Sequence, residues 1–381
     1  MFRTRVHVCL FLLLVAGIVT QAVQAETPNS SPSPFAKVVL AHFEKWDLNH
    51  DGVLDPEELD RLVTKRSIHG DAAAALGALK SIQRQGKFTL PKLDIEYFNT
   101  YARLAGEKKL KGMPPFESQF NAARKRITDK NRVVFPPGQP SLSAVHQGTL
   151  GDCFFLAGLG SMLARDPAGV KQLITLDANG DYTVQFPGAG KVQVHPLTDA
   201  ELALTSTTEG HGLWLNLFEK AYGQLRNESL QAEKKTLCST DAICNGGSPR
   251  MVIQDLTGHQ AKWLNMHRVT KEPMTPEKIA EEAHQILVNA HRARRLLCAV
   301  TPKEQKAKGL NANHAYTVLS YDASKKVITL FNPHGNTFQP KGEPGTKNGY
   351  VTTHGRFTMP LAEFVECYQA VYYETADQFT K

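Results

Sequence analysis

The sequence predicts an α+β protein in three parts: a small all-helical unit, a helix-rich lobe and a β-rich lobe. Three observations predict it. Apolar residues recur at helical spacing on both sides of an acidic turn near the N-terminus, helical patterns dominate from Cys153 to Tyr222, and strand patterns dominate after about His259. A chain of 381 residues has room for two domains, one small and helical and one larger.

The chain opens with Arg3 and Arg5, continues with an apolar run from Val8 to Val19, and reaches small residues ending in Val23-Gln24-Ala25. Residues 1–25 therefore read as a secretory signal peptide cleaved after Ala25, which predicts a secreted or periplasmic protein. An uncleaved anchor is the rival reading, although the apolar run is short for a span. No other segment is apolar for long enough to cross a bilayer, so no span is expected after cleavage. Residues 26–34, with Ser30-Ser31-Pro32-Ser33-Pro34, read as a flexible spacer.

Residues 35–104 form the helical unit. Phe35, Val39, Phe43 and Trp46 make one apolar stripe, and Leu59, Leu62 and Val63 make another. Between them, Asp47, Asn49 and Asp51 alternate as oxygen ligands, Val53 offers a carbonyl, Asp55 acts directly or through water, and Glu58 closes the set as a bidentate carboxylate. Gly52 supplies the positive φ of the sharp turn and Leu54 points into the core. This is the pattern of an EF-hand loop and predicts one Ca2+ site; the plain alternative is an acidic turn without an ion. A second hand is expected at Ser81–Lys92, with Gly86 at the turn, Phe88 in the core and no carboxylates, hence without metal. Residues 105–132, lysine-rich and then Pro-rich at Met113-Pro114-Pro115, read as the connector.

Residues 133–258 form the helix-rich lobe. Here His146-Gln147-Gly148-Thr149-Leu150-Gly151-Asp152-Cys153 leads into an apolar helix predicted over Phe154 to Leu163. A helix N-terminus carries partial positive charge and free N–H groups, which favour a thiolate. Taken alone, Cys153 also fits a buried structural cysteine.

Residues 259–381 form the β-rich lobe. Two strand-like runs, one entered by Asn313-His314-Ala315-Tyr316 and one ending in Phe331-Asn332-Pro333-His334-Gly335, flank the turn residues Asp322 to Lys326. Paired as a hairpin, they bring His314 beside Asn332, an imidazole held by an amide. Separately, His314 fits a satisfied strand-start histidine and Asn332 a turn residue before proline.

The segment Gln147-Gly148-Thr149-Leu150-Gly151-Asp152-Cys153-Phe154-Phe155-Leu156 resembles the catalytic-cysteine segment of the calpain family of papain-like cysteine proteases. The resemblance continues through Trp214 to Glu219-Lys220-Ala221-Tyr222, Asn245-Gly246-Gly247, Leu256-Thr257-Gly258, His314-Ala315-Tyr316 and Asn332-Pro333, from roughly Val133 to the C-terminus. It implies a papain-like two-lobed core, with Cys153 as nucleophile, His314 as its base, Asn332 as the orienting amide and Gln147 as an oxyanion donor. The reaction implied is hydrolysis of peptide bonds in protein or peptide substrates through a thioester. The chain departs from the family pattern at Asn313, where a glycine is usual, and at His334, where a tryptophan shields the Asn–His hydrogen bond. Calcium also binds within the protease core of the family, with ligands that no local motif identifies here.

The formal net charge of +7 falls to +5 without Arg3 and Arg5. Basic clusters such as Arg124-Lys125-Arg126 lack interleaved aromatics, so a nucleic-acid role is disfavoured. With Cys9 gone and Cys153 kept free, Cys238, Cys244, Cys298 and Cys367 remain as an even set that could oxidise, the first two locally; none has zinc-site spacing. The leading expectation is an exported calpain-like endopeptidase with a calcium-binding hand. Its alternatives are a calcium-binding interaction protein with a silent core, or a transamidase or deamidase using the same Cys–His pair.

Overall fold

The computed structural model describes residues 33–85, 90–268, 275–305 and 307–379. The signal-peptide segment, nearly all of the spacer and the expected second-loop positions Gly86 and Phe88 lie outside the described residues.

Five helices form the N-terminal unit: α1 (Pro34–Trp46), α2 (Pro56–Val63), α3 (Gly70–Gln85), α4 (Ile95–Gly106) and α5 (Phe116–Thr128). Their starts are written in the sequence. Ser33 caps α1 by accepting from Ala36 N at 2.9 Å with Pro34 at the first helical position, and Asp55 and Glu58 close a capping box on α2. The core is aromatic: Phe35 stacks on Phe116 at 4.9 Å, with Phe98, Tyr101 and Phe120 edge-on around it. Small residues line α3, and a Cβ on Gly77 would come within 2.9 Å of the Ala203 Cβ, so the segment around Ala203 packs directly on this helix.

Two expectations need correction here. The 105–132 connector contains α5, whose Phe116, Phe120, Ala123 and Ile127 are all buried in the N-terminal core. Their spacing of four, three and four residues is that of a helix stripe, which outweighs the lysine and proline signals before it. The second-hand register also moves. Helix α3 absorbs Ser81 to Gln85, and the backbone pairing opposite Leu54 is made by Leu93, whose carbonyl accepts from Leu54 N at 3.0 Å.

The next lobe holds α6 (Cys153–Arg165), α7 (Pro167–Gln172), β1 (Ile174–Leu176), β2 (Tyr182–Phe186), β3 (Gly190–Val194), α8 (Asp199–Leu204), α9 (Trp214–Glu228) and α10 (Pro249–Thr257). The small antiparallel sheet β1-β2-β3 was not expected in a helical lobe; its alternating Val184, Phe186, Val192 and Val194 cover α9. Helix α6 is buried nearly all round, because it runs between α10 and the second sheet. Gly158 and Gly160 make that possible: a Cβ at either would stand 2.5 Å from a Val252 or Thr317 side-chain atom.

The last part comprises β4 (His259–Asn265), α11 (Pro276–Arg292), β5 (Leu297–Val300), β6 (Ala315–Asp322), β7 (Val327–Phe331), β8 (Arg356–Pro360), α12 (Leu361–Cys367) and β9 (Ala370–Gln378). Its six strands form one antiparallel sheet in the order β4-β9-β5-β6-β7-β8. Helices α11 and α12 pack on one face around Leu287, Phe364 and Tyr368, and Thr317 on β6 donates to Ala157 O at 2.9 Å, tying the sheet to α6. Among the described residues no helix is long and apolar enough to cross a membrane.

Candidate active site

Helix α6 begins at Cys153 itself, one residue earlier than the apolar pattern alone indicates. Asp152 is the N-cap but its side chain makes no capping bond, so the first N–H groups of the helix stay available to an anion. The turn before it is held from outside the lobe's own helix: Gly151 N donates to Cys244 O at 2.9 Å, and Gln147 N donates to Pro333 O at 2.8 Å. The second bond joins the cysteine segment to the Asn332 turn.

Burial pushes the Cys153 thiol up to about 11. The N–H groups of Ala315, Phe154 and Cys153 itself all pull the other way, toward thiolate, and do not outweigh it. The helix-end effect expected from the sequence is thus present and smaller than desolvation.

His314 immediately precedes β6 and Asn332 immediately follows β7, and these strands pair antiparallel with Thr317 opposite Phe331. The hairpin brings the two side chains together: His314 Nε2–H donates to Asn332 Oδ1 at 2.8 Å. Asn332 cannot turn over, because its Nδ2 donates to Asn311 Oδ1 and Asn336 Oδ1, both at 3.0 Å, while His334 N also donates to its Oδ1 at 3.0 Å. That amide orientation fixes the proton on Nε2 and leaves Nδ1 as an acceptor. Burial, helped by the neighbouring His334, depresses the His314 imidazole to about 4. Both shifts favour the neutral forms, a thiol at Cys153 and an imidazole at His314. Ala315, the residue after His314, aims its N–H at the Cys153 sulfur.

His334 lies flat on His314, ring centroids 4.5 Å apart and planes within 4°. Gln147 lies close by with its Nε2 donating to Leu150 O at 2.8 Å and to Asp152 Oδ1 at 3.3 Å. Both of its N–H bonds are in use, and its buried Oε1 has no partner. A cavity of about 480 Å³ reaches Phe331, next to Asn332, but neither Cys153 nor His314 lines it.

The N-terminal turn has the oxygen donors expected of it and spends them on its own backbone. Asp47 accepts from Asp51 N and Gly52 N, Asn49 from Asp51 N, and Asp51 from Val53 N, at 2.8 to 3.1 Å. Glu58 Oε1 accepts from Leu48 N at 2.6 Å and Asn49 N at 3.1 Å, and its Oε2 from Asp55 N at 2.9 Å. Gly52 has φ +80°, as the sharp turn demands. Among the described residues no three His, Cys, Asp or Glu side chains converge on one point. All five described cysteines are free thiols, so the local Cys238–Cys244 pairing is not formed; Cys238 instead lies 3.3 Å from the buried Arg84 guanidinium.

Sequence reasoning missed Glu219, Ser206 and Lys130, which form a buried polar cluster behind Asp152. In the sequence Glu219 stands only as one position of a helix motif.

Comparisons with known proteins bear on this arrangement. A model of the family described as calpain family cysteine protease matches residues 116–347, beginning at the first residue of α5 rather than at Val133. The chain is 24% identical over 310 residues to a calpain of Schistosoma mansoni, covering 70% of this chain and 38% of that protein. It is 26% identical over 256 residues to the calpain-2 catalytic subunit of Bos taurus, covering 62% and 34% respectively. Calpain-13 of Rattus norvegicus is 25% identical over 268 residues, covering 60% and 36%. The chain spans well under half the length of these relatives. The mixed α/β architecture is consistent with a calpain protease core, and the chain belongs to the calpain family of cysteine proteases.

Proposed function

We propose that this protein is an exported calpain-like cysteine endopeptidase, in which Cys153 is the nucleophile, His314 the base, Asn332 the orienting amide and Gln147 an oxyanion donor. The observation that carries the reading is the His314 Nε2 to Asn332 Oδ1 bond of 2.8 Å, which leaves Nδ1 as the only open imidazole nitrogen. Nδ1 takes the Cys153 proton as the sulfur attacks a peptide carbonyl. The tetrahedral oxyanion receives the Cys153 N–H and one Gln147 N–H, which exchanges its longer 3.3 Å bond to Asp152 for it. His314 then returns the proton to the leaving amine, the C–N bond breaks, and water hydrolyses the thioester by the reverse route.

Export rests on residues 1–25 of the sequence. The calcium site rests on the donor set Asp47, Asn49, Asp51, Val53, Asp55 and Glu58. The two loops also agree in their caps: Asp55 Oδ1 accepts from Glu58 N at 2.8 Å, and Asp94 Oδ1 accepts from Tyr97 N at 2.9 Å. With Val53 bridged to Asp94, this supports a pair of hands in which Tyr97 stands where the first loop has its Glu, so the second holds no ion. A bound calcium would supply a hard cation for the oxygens of the first loop, and Glu58 would release Leu48 N and Asn49 N to reach it.

The silent-core alternative rests on His334. Its ring covers His314 as a flat aromatic wall does, which favours the active reading. Labelling by an epoxide warhead tests the nucleophile: mass spectrometry should find the adduct on Cys153 of the parent and lose it in Asn332→Ala; a warhead that never reacts with Cys153 contradicts the reading.

A further inference from the structure

The acid immediately before the nucleophile has no part in the mechanism above, yet it is fully buried. Asp152 and Glu219, in the second turn of α9, are both 0% exposed, and their carboxyl groups face each other. Two buried carboxyls in contact cannot both be ionised, so one proton stays between them. Their neighbours decide which side holds it.

Glu219 accepts from Ser206 N at 3.1 and 3.0 Å on its two oxygens and from Ser206 Oγ at 2.6 Å. It also interacts with the cations Lys130 and Arg126. Lys130 is anchored over the cluster, its Nζ donating to Ser206 O at 3.1 Å and Asn216 Oδ1 at 3.0 Å. All of this favours the carboxylate on Glu219. Asp152 Oδ1 accepts from the Gln147 amide at 3.3 Å, while its buried Oδ2 accepts no hydrogen bond, which leaves that oxygen to carry a proton toward the Glu219 carboxyl. Burial first, and then the Glu219 charge, hold the Asp152 carboxyl well above the usual range.

We propose that Asp152 works as a neutral acid, donating to Glu219 from one oxygen and holding the Gln147 amide with the other, so that it positions the oxyanion donor without setting an anion beside Cys153. The proposal rests on the cysteine-peptidase reading. Its physical content is twofold. A thiolate next to a charged Asp152 is disfavoured by like-charge repulsion, which a neutral acid avoids. A neutral acceptor also yields Gln147 to the developing oxyanion, whereas a carboxylate binds an N–H roughly twice as strongly and would retain it. Asp152 is thus a positioning residue. The single negative charge of the pair rests on Glu219, opposite Lys130 from the stretch after α5.

Asp152→Asn tests this, because its amide N–H can donate to Glu219 and its carbonyl can accept from Gln147, as the protonated acid does. The full chain carrying Asp152→Asn or Asp152→Ala is compared with the parent. The readouts are the pH midpoint of Cys153 alkylation by iodoacetamide, followed on the Cys153 peptide by mass spectrometry, and kcat and KM on a cleaved peptide. Asp152→Asn should keep the midpoint within about 0.3 pH unit and kcat within about twofold, since it preserves both bonds and the charge. Asp152→Ala, which loses both bonds, should lower kcat by roughly 10- to 100-fold with little change in KM. A midpoint that falls by about half a unit or more in Asp152→Asn overturns the proposal, because the parent then carries an anion at that position. So does an Asp152→Asn enzyme as impaired as Asp152→Ala. If Asp152→Ala fails to fold, the Asp152→Asn midpoint decides alone. A parent that cleaves nothing defeats the peptidase reading instead, and the alkylation midpoint still reports the charge on Asp152.

Discussion

The imidazole of His334 lies face to face with that of His314 at 4.5 Å, and the backbone N–H of His334 donates to the same Asn332 oxygen that His314 uses. One residue therefore both covers the base and helps hold its partner. The backbone bond does not use the side chain, so a change of the ring acts on His314 through packing and charge. Burial holds the His334 imidazole below its ordinary range, so it is neutral near pH 7 and gains a proton only in acid. A cation there opposes the imidazolium that His314 must form. His334→Trp should match or exceed the parent in kcat/KM near pH 7 and lose less of it as the pH falls below about 6.5, the ordinary histidine value. Complete loss of turnover would mean that the ring has a chemical role of its own.

Asn332→Ala removes the acceptor of two buried donors, His314 Nε2–H and His334 N. A buried donor left unpaired costs about 1–3 kcal/mol, so kcat should fall roughly 5- to 150-fold. Steady-state kinetics check it; an unchanged kcat would remove Asn332 from the site.

The buried neutral His314 also makes stability depend on pH. Its imidazole is depressed from 6.5 to about 4 in the folded chain, so between those values the unfolded chain binds more protons. Stability from this group is fully present above about 6.5 and is lost as pH falls toward 4, on the order of 3 kcal/mol in all. Urea unfolding at pH 7 and pH 4.5 should show the parent losing more stability than His314→Gln. Equal losses would contradict the assignment.

Gly151 is confined by a neighbour rather than by its φ angle. A Cβ there would stand 2.2 Å from Cys244 O, the acceptor of its own N–H. Gly151→Ala should destabilise the chain by at least about 1–3 kcal/mol and slow Cys153 labelling, because backbone must move two residues from the sulfur. Denaturant midpoints and labelling rates measure both, and parent-like values would show that the turn has room.

The adjacency of His314 and Asn332 was legible because the two share one hairpin, whose turn and strand signals fix it. The Asp152–Glu219 contact was not, since 67 positions separate the two carboxyls and no local pattern reports a shared proton. Helix α5 carried a readable stripe in Phe116, Phe120, Ala123 and Ile127, obscured by the lysines and prolines just before it. The β1-β2-β3 sheet was hidden by its short strands among stronger helical patterns. The expected start of the second loop at Ser81 was not legible because α3 runs on to Gln85, and bridging to Leu54 is a tertiary choice made by Leu93.

Calcium titration tests the proposed pair of hands. Isothermal calorimetry should find about one ion per chain, and Glu58→Gln should weaken binding at least about tenfold by removing the closing bidentate ligand. Two tight sites, or binding indifferent to Glu58, would refute the assignment.

The central claim is that Cys153 cleaves peptide bonds. Casein digestion by the parent and by Cys153→Ala, each with and without calcium, tests it most directly. The account predicts products from the parent and none from Cys153→Ala. Products that persist in Cys153→Ala, or a parent that yields none under either condition, would contradict it.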